Sequence, residues 1–561
     1  MRTQIVRKMP FSIRLILPSL AAVLLIMAAV TVQASADYDL VIRNGTVVDG
    51  SGRQATRADV AIKAGRFAKI GEVSGRGLRE IDARGRHVSP GWIDMMDQSG
   101  EVLLKNGLAA NKLLMGVTSA IGGEGGTPVP AEGIQGYFQA LEQQGISLNF
   151  GIYYNAFQAR EAVVGDADVA VSDADIAAMQ QHMRTAMEAG AVGMSSAAFY
   201  PPASFMSTRE LVELGKAIAP YGGIYAAHMR DESRNLLAAI EEMITVGEQA
   251  GIPVEIFHFK NAYAPHWNKT VHLAIEKIES ARQRGVDIAA DQYPYVAGGT
   301  GIDATVPTWV FAEGLDKGLE RLADPEVREQ LKAEIMDPHS DRMVANSGGW
   351  ENIVLVRAYN PDYEQYEGMN FLEIGAALGL EPADAAWNIM LEARPERAYA
   401  LYFMMSEQDV QTIMRQPWVS IGSDAGAAPK LGEVDDIGLP HPRAYGTFPR
   451  IIARYVRDQG LLTLEEAVRK MTSLPASRVK LEHRGTISEG NWADVVIFDY
   501  DNIQDNATWE DPLLTPSGID YVLVNGQVVV EEGRHSGKRP GMVLYGPGHR
   551  AADTDDPAPA S

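Results

Sequence analysis

Two histidines and an aspartate each close a short apolar run: His228 ends GIYAAH, His258 ends PVEIFH and Asp424 ends WVSIGSD. Neutral imidazoles and a carboxylate are the ligands zinc takes when one position is kept for water. A carboxylate beside such a water can also take its proton as it attacks a carbonyl and return it to a leaving nitrogen. The three residues therefore predict a hydrolytic metal site in which Asp424 is both ligand and general base. Successive members lie 30 and 166 residues apart, so no local motif joins them. Each histidine taken alone fits a hydrogen-bonded, partly buried residue equally well; what unites the three is their equivalent position at the end of an apolar run.

Bringing such residues to one rim requires repeated strand–helix units. Short β-branched runs (GVTSAIGG, LNFGIYY, AVGMSS, GIYAAHMR, PVEIFHFK, DIAADQYPY, WVSIGSDAG) alternate with helical patterns such as ADIAAMQQHMRTAMEAG and NLLAAIEEMITVGEQAG. This rhythm predicts an α/β chain with a parallel sheet and helical crossovers, closed as a (β/α)8 TIM-like barrel over residues 90–479. The strand C-terminal ends of such a barrel form its catalytic face. Residues 303–400 break the rhythm with a charged helical stretch from Asp316 to Met336 and further helix. An insertion of this length is expected to be a lid, the alternative being a plain lengthening of one connection.

Both ends of the chain, 37–89 and 480–545, are β-rich. YDLVIRNGTVV alternates around Asn44-Gly45, which predicts a hairpin turn there, and DVAIKAGRFAKIG predicts a second. ADVVIFD is a further strand, and GIDYVLVNGQVVVE turns at Asn525-Gly526.

The 561 residues contain no cysteine, which excludes disulfides, cysteine zinc ribbons, iron–sulfur clusters and a thiol nucleophile. The net charge of −23 argues against nucleic-acid and anionic-membrane partners and for a small molecule. Arg2, Arg7, Lys8 and Arg14 precede an apolar run from Leu15 to Val32 and then Ala34-Ser35-Ala36. This predicts a signal peptide over 1–36 and a periplasmic or secreted protein without stable membrane association; an uncleaved anchor is the alternative. Cleavage would remove four cations and no acid, taking the net charge to −27. The Pro/Ala/Asp-rich end, 546–561, is expected to be a disordered tail.

From about Tyr38 to Val543 the sequence resembles the N-acyl-D-amino-acid deacylase (D-aminoacylase) branch of the amidohydrolase superfamily. YDLVIRNGTVVDG, SPGWID, GMSSAAFYPP, AHMRDES, HFK, DQYPY, MMSEQDV, GSDAG, HPRAYGTFPR and ADVVIFD carry the resemblance. AHMRDES and HPRAYGTFPR are specific signatures, whereas SPGWID is shared more widely. The resemblance implies a metal-dependent barrel flanked by a small β-sandwich built from both chain ends. It implies His228, His258 and Asp424 as metal ligands and base, and Lys260, Tyr293 and Arg443 as binders of a substrate carboxylate. It also places Tyr200 near the scissile carbonyl, where a phenol suits an oxyanion, unless it merely packs on Pro201-Pro202. Arg230 and Glu232 are read either as orienting partners of the site or as a surface pair.

Two departures stand out. Where the superfamily carries His-x-His after its first barrel strand, this sequence has Met96 and Gln98, poor ligands for a hard divalent ion, so one metal is expected. Asp94 and Asp97 could be read as replacements, but Asp94 belongs to the shared SPGWID motif and Asp97 would point away from its neighbours on an extended strand. Where D-aminoacylases carry a Cys ligand, this sequence has Gly125, preceded by Glu124 in a Gly-rich run. Glu124 either supplies a carboxylate to the metal or stands solvated in a turn.

Together these features predict a metal-dependent amidohydrolase with one Zn2+ per chain, cleaving N-acyl amino acids, D-isomers favoured, by a metal-activated water. Cyclic-amide hydrolysis of the hydantoinase or dihydroorotase kind is the enzymatic alternative. A catalytically silent periplasmic binding protein on the same fold is the other.

Overall fold

The computed structural model describes residues 36–337, 340, 342–428 and 441–550. The leader expected over 1–36, apart from Ala36, lies outside the described residues, as does the tail from 551. Gly546–Arg550, expected to be disordered, instead pack on the chain: Gly546 N–H donates to Gly190 O and Arg550 N–H to Glu188 O. No helix among the described residues is long and apolar enough to cross a membrane.

Eight short strands follow one another in chain order: β1 (Trp92–Asp97), β2 (Val117–Gly122), β3 (Asn149–Ile152, continued by Tyr154–Asn155), β4 (Gly193–Ala197), β5 (Ile224–His228), β6 (Val254–Ile256), β7 (Ile288–Gln292) and β8 (Val419–Ile421). Neighbours pair in parallel, β1 to β2 to β3 and then Tyr154–Asn155 to β4 and onward to β8. A parallel bridge between Asp97 and Ala425 links β1 to the segment after β8. Nearly every residue of these strands is buried, because helices cover their outer faces and side chains fill the space between them. Two of the helices start at capping boxes: Ser172 with Asp175 and Ser207 with Glu210.

The chain ends form one nine-stranded sheet in which Val495–Phe498 pairs with His87–Pro90, joining C-terminal to N-terminal strands. Two expected hairpins are present, Thr56–Lys63 with Arg66–Gly71 and Ile519–Val524 with Gln527–Glu531. The one expected at Asn44-Gly45 is not. Tyr38–Val47 runs through that dipeptide as a single strand, and its register with Thr56–Lys63 shifts between Ile42 and Gly45. Asn44 takes φ +57, its N–H donates to Asp59, and a Cβ on Gly45 would meet Val88 Cγ2 at 2.7 Å. The same residue types that turn a hairpin here make a β-bulge that lets two strands approach.

The 303–400 region adds a third layer. Its strands Ile353–Arg357 and Tyr399–Phe403, with Ala297–Gly301, form a three-stranded antiparallel sheet. The charged stretch is two helices, Leu315–Leu322 and Pro325–Ile335, divided where Asp324 caps the second and Pro325 begins it.

Inside the ring of strands, Glu255 of β6 is fully buried beside Arg478, 2.7 Å away. Burial pushes its carboxyl up to about 7 against the pull of that guanidinium. A folded carboxyl that holds its proton past the unfolded value of about 4.5 stabilises the fold below that pH, and the contribution is lost as pH rises through about 7. That window corresponds to about 3 kcal/mol. Glu255→Gln is expected to flatten the fall in unfolding free energy between about pH 4.5 and 7, measured by denaturant titration across that range. An unchanged slope would assign the proton to another group.

Candidate metal centre

Four strand ends deliver the polar side chains. His228 is the last residue of β5, His258 lies two past β6, Asp424 three past β8, and Glu124 two past β2. The turns that aim them are constrained. His258 and Asp424 adopt φ +37 and +50, a left-handed conformation that costs a non-glycine residue of the order of 1–2 kcal/mol. Local bonds hold both turns: His258 N–H donates to Asp291 at 2.6 Å and Asp424 N–H to Met96 O at 3.0 Å. Gly123, at φ +108, lies where a Cβ would strike Tyr153 O at 2.5 Å, so the Gly-rich run folds against β3 and swings Glu124 inward. Glu124 is only 7% exposed, which removes the solvated-turn alternative.

Glu124, His228 and His258 converge. Glu124 Oε1 lies 2.9 Å from His258 Nε2 and 3.4 Å from His228 Nδ1, and the two imidazole nitrogens are 3.1 Å apart. A tetrahedral ion with bonds of about 2.05 Å separates its ligands by about 3.3 Å, so the triangle has the size of one face of a zinc coordination shell. Burial alone would raise the Glu124 carboxyl, but the His258 and His228 imidazoles carry it well below the usual carboxylate range. Burial and Lys260 oppose a charge on His258, yet Glu232 and Glu124 push it up to about 10. The donor set, one carboxylate and two imidazoles, fits zinc, which takes both histidines in their neutral form.

Behind the triangle stands Glu232. It is 5% exposed, with Oε1 3.0 Å from His258 Nδ1 and Oε2 3.5 Å from His228 Nε2, the carboxylate–imidazole arrangement that orients metal-binding histidines. Arg230 turns away instead, to Glu242 and to the carbonyls of Ser204 and Met206. The pair left open in the sequence thus divides: one member faces the histidines and the other secures the loop after Tyr200.

Asp424 stands beside the triangle rather than in it. Its Oδ2 accepts from Arg443 at 2.6 Å and its Oδ1 from Gln98 at 3.2 Å, while the same Gln98 nitrogen donates to Glu124. Burial raises the Asp424 carboxyl, Arg443 lowers it and Glu124 raises it further. Lys260 is likewise engaged, 2.7 Å from Glu232. The Tyr293 ring lies under both cations, 5.0 Å from Arg443 and 5.7 Å from Lys260. Tyr200, following β4, packs its ring 5.1 Å from that of His228 and bonds Thr300; burial raises its phenol strongly, so it keeps its proton.

Asp94 and Asp97, considered as replacement ligands, serve a different cluster. Both are bonded to the buried Lys112, at 2.9 and 2.6 Å, and that ammonium also reaches Ser423 and Ala425 O under the Asp424 turn. Met96 packs beside Gly422 inside the ring. Gln98 is the residue whose position the sequence did not assign: it appears there only as a missing histidine, and its two carboxylate partners are 26 and 326 residues away.

Gln98, Glu124, Tyr200, His228, Glu232, His258, Lys260, Tyr293, Asp424 and Arg443 line one cavity of about 770 Å³. Its outer wall comes from the inserted region, including Phe311, Leu319, Met343 and Arg397.

An amidohydrolase-family sequence pattern matches residues 362–530. A D-aminoacylase of Alcaligenes xylosoxydans xylosoxydans is 32% identical over 532 residues, 91% of this chain and 98% of that protein. A solved D-aminoacylase, whose binuclear metal centre is described as showing one-metal activation and second-metal attenuation, superposes with TM-score 0.76 at 31% identity, covering 91% of this chain and all of that one. The N-acyl-D-glutamate deacylase of Bordetella bronchiseptica, complexed with zinc and a phosphonate mimic of the tetrahedral intermediate, gives TM-score 0.75 at 30% identity over 91% of this chain and 99% of that one.

Removing either the converging carboxylate or its supporting partner is expected to loosen a divalent ion. Glu232→Gln, which keeps shape but weakens the hold on both histidines, is expected to lower affinity by about 10–100-fold, and Glu124→Ala by at least as much. Competition against a chelator with elemental analysis reads this directly, and a wild-type affinity in both variants would remove the cluster as a metal site.

Proposed function

The chain belongs to the D-aminoacylase family of amidohydrolases, and from that premise we propose that it hydrolyses the linear amide bond of N-acyl amino acids, with N-acyl-D-amino acids preferred. The reading places one Zn2+ at Glu124, His228 and His258, at the C-terminal rim of a (β/α)8 barrel flanked by a β-sandwich. It places the protein in the periplasm or outside the cell after loss of residues 1–36. The observation that carries it is the convergence of one buried carboxylate and two imidazoles, with Asp424 linked to the carboxylate through the Gln98 amide.

When bound, the ion supplies Lewis acidity, polarising the scissile carbonyl and acidifying water toward a pKa of about 7. The side chains do the rest. Asp424, held at Oδ2 by Arg443, takes the proton of the attacking water as its oxygen bonds to the carbonyl carbon. As the carbon–nitrogen bond breaks, the same proton passes to the leaving amine, and a carboxylic acid and a free amino group result. Tyr200, protonated by its environment, donates toward the oxygen on which charge develops. Arg443 and Lys260 over the Tyr293 ring supply the positive potential for the substrate carboxylate.

Among the described residues, two-metal cyclic-amide chemistry built on a carboxylated lysine finds no suitable group: Lys260 is committed to Glu232, on the far side of the histidines from Glu124. A silent binding protein would hold no metal and lose no activity on changing Asp424. The test is release of free amine from paired N-acetyl-D- and N-acetyl-L-amino acids. Wild type is expected to favour the D series, and Asp424→Asn to be slowed by about 10²–10⁴-fold with its metal content intact. Full activity in Asp424→Asn, or no amine from any substrate in the metal-loaded protein, would overturn the reading.

A further inference from the structure

We infer that Gln98 takes the place of a second cation: its amide bridges Glu124 and Asp424, holds the two carboxylates apart from a further metal and limits the centre to one ion. The inference rests on the metal reading above and concerns what that reading leaves open, namely why one ion suffices.

The geometry is specific. A carboxamide nitrogen carries two N–H groups. Gln98 Nε2 spends one on Glu124 Oε2 and the other on Asp424 Oδ1, at 3.2 Å. Each carboxylate is thereby divided. Glu124 keeps Oε1 toward the imidazoles and gives Oε2 to the amide; Asp424 gives Oδ1 to the amide and Oδ2 to Arg443. Two carboxylates brought this close in a buried cavity repel, and a low dielectric makes the repulsion costly unless a cation or a donor stands between them. In a binuclear centre that bridge is a metal. Here it is a neutral amide, which satisfies both oxygens without bringing in another charge to desolvate.

The backbone fixes the amide where it is needed. Gln98 N–H donates to Ala425 O at 3.4 Å, the preceding Asp97 forms a parallel bridge with Ala425, and Asp97 is itself bonded to Lys112. Gly426 runs close to the Gln98 backbone: a Cβ there would lie 3.1 Å from Gln98 O, a tight contact. Met96, near the end of β1 and two positions before Gln98, packs an apolar side chain beside Gly422. Gln98 is thus a positioning residue. It presents Glu124 to the ion through one oxygen and keeps Asp424 off the ion as a base.

The experiment is a stoichiometric one. Metal-free wild type, Gln98→Ala and the Met96→His/Gln98→His double variant are each loaded with excess Zn2+, freed of loose metal and analysed for zinc per chain, with circular dichroism as the control for folding. Wild type is expected to retain one equivalent. Gln98→Ala, which frees both oxygens, and the double variant, which adds imidazoles, are each expected to retain two. Two equivalents in the wild type, or one in folded Gln98→Ala whatever the double variant holds, would overturn the inference while leaving the metal reading intact; no zinc in the wild type would overturn both.

Discussion

The fact on which everything else at the site depends is that several carboxylates lie close together with little of their surface exposed. Glu124, Glu232, Asp424, Asp94 and Asp97 are packed at one end of the strands, and a charge removed from solvent must be matched by a partner at bonding distance or lose its ionisation. The match is made in two tiers. At the cavity, two imidazoles, Lys260, Arg443 and the Gln98 amide face Glu124, Glu232 and Asp424. Beneath it, Lys112 is paired with both aspartates of β1, which also accept from Ser423 and Ser99, and it ties the Asp424 turn to that strand through Ser423. The lower tier has a mechanical consequence: the residue that carries the base and the strand that carries Gln98 are locked to a common ammonium. Asp291 shows the other solution. Burial and the nearby Glu255 drive its carboxyl well above the usual range against the pull of His258, whose backbone N–H it accepts.

This arrangement explains why strain gathers at strand ends rather than within strands. A parallel strand delivers its terminal side chain to the rim at no conformational cost, as β5 delivers His228. A second ligand a few ångströms away must come from a neighbouring strand whose chain has already turned. His258 and Asp424 meet that need by entering left-handed backbone, and Gly123 meets it by having no side chain where Tyr153 passes. The bonds from Asp291 and Met96, and the close packing of the strands behind them, offset the strain.

Much of this was legible in the sequence, for identifiable reasons. His228, His258 and Asp424 could be found because each follows an apolar run that only a buried strand explains, and the strand–helix rhythm then sets them along one rim. Glu124 could be singled out because it is the only donor in its glycine run, though nothing local says whether it faces in or out; that is decided by the approach of Tyr153. Gln98 was readable only as a lost histidine, since its role lies in two tertiary hydrogen bonds. The Asn44-Gly45 dipeptide failed as a turn signal because left-handed backbone also serves a bulge, and only the neighbouring Val88 distinguishes the two. The charged helix of the insertion was read as one stretch because its composition is uniform, while Asp324-Pro325 quietly divides it.

The cations at the cavity bear on how binding and chemistry are joined. In a chain of net charge −23, Arg443 and Lys260 looked like free hooks for an anionic substrate, yet each already holds a carboxylate of the protein. Arg443 can serve both, because a guanidinium has five N–H donors in a fixed fork and Asp424 takes only one end of it. A substrate carboxylate arriving at Arg443 therefore shares that cation with the base. Sharing weakens the hold on Asp424, and the added negative charge nearby raises the carboxylate's affinity for a proton. On the proposed reading, the group that recognises the substrate is also the group that tunes Asp424, and an acyl compound lacking the carboxylate would leave the base less ready to accept the proton of water.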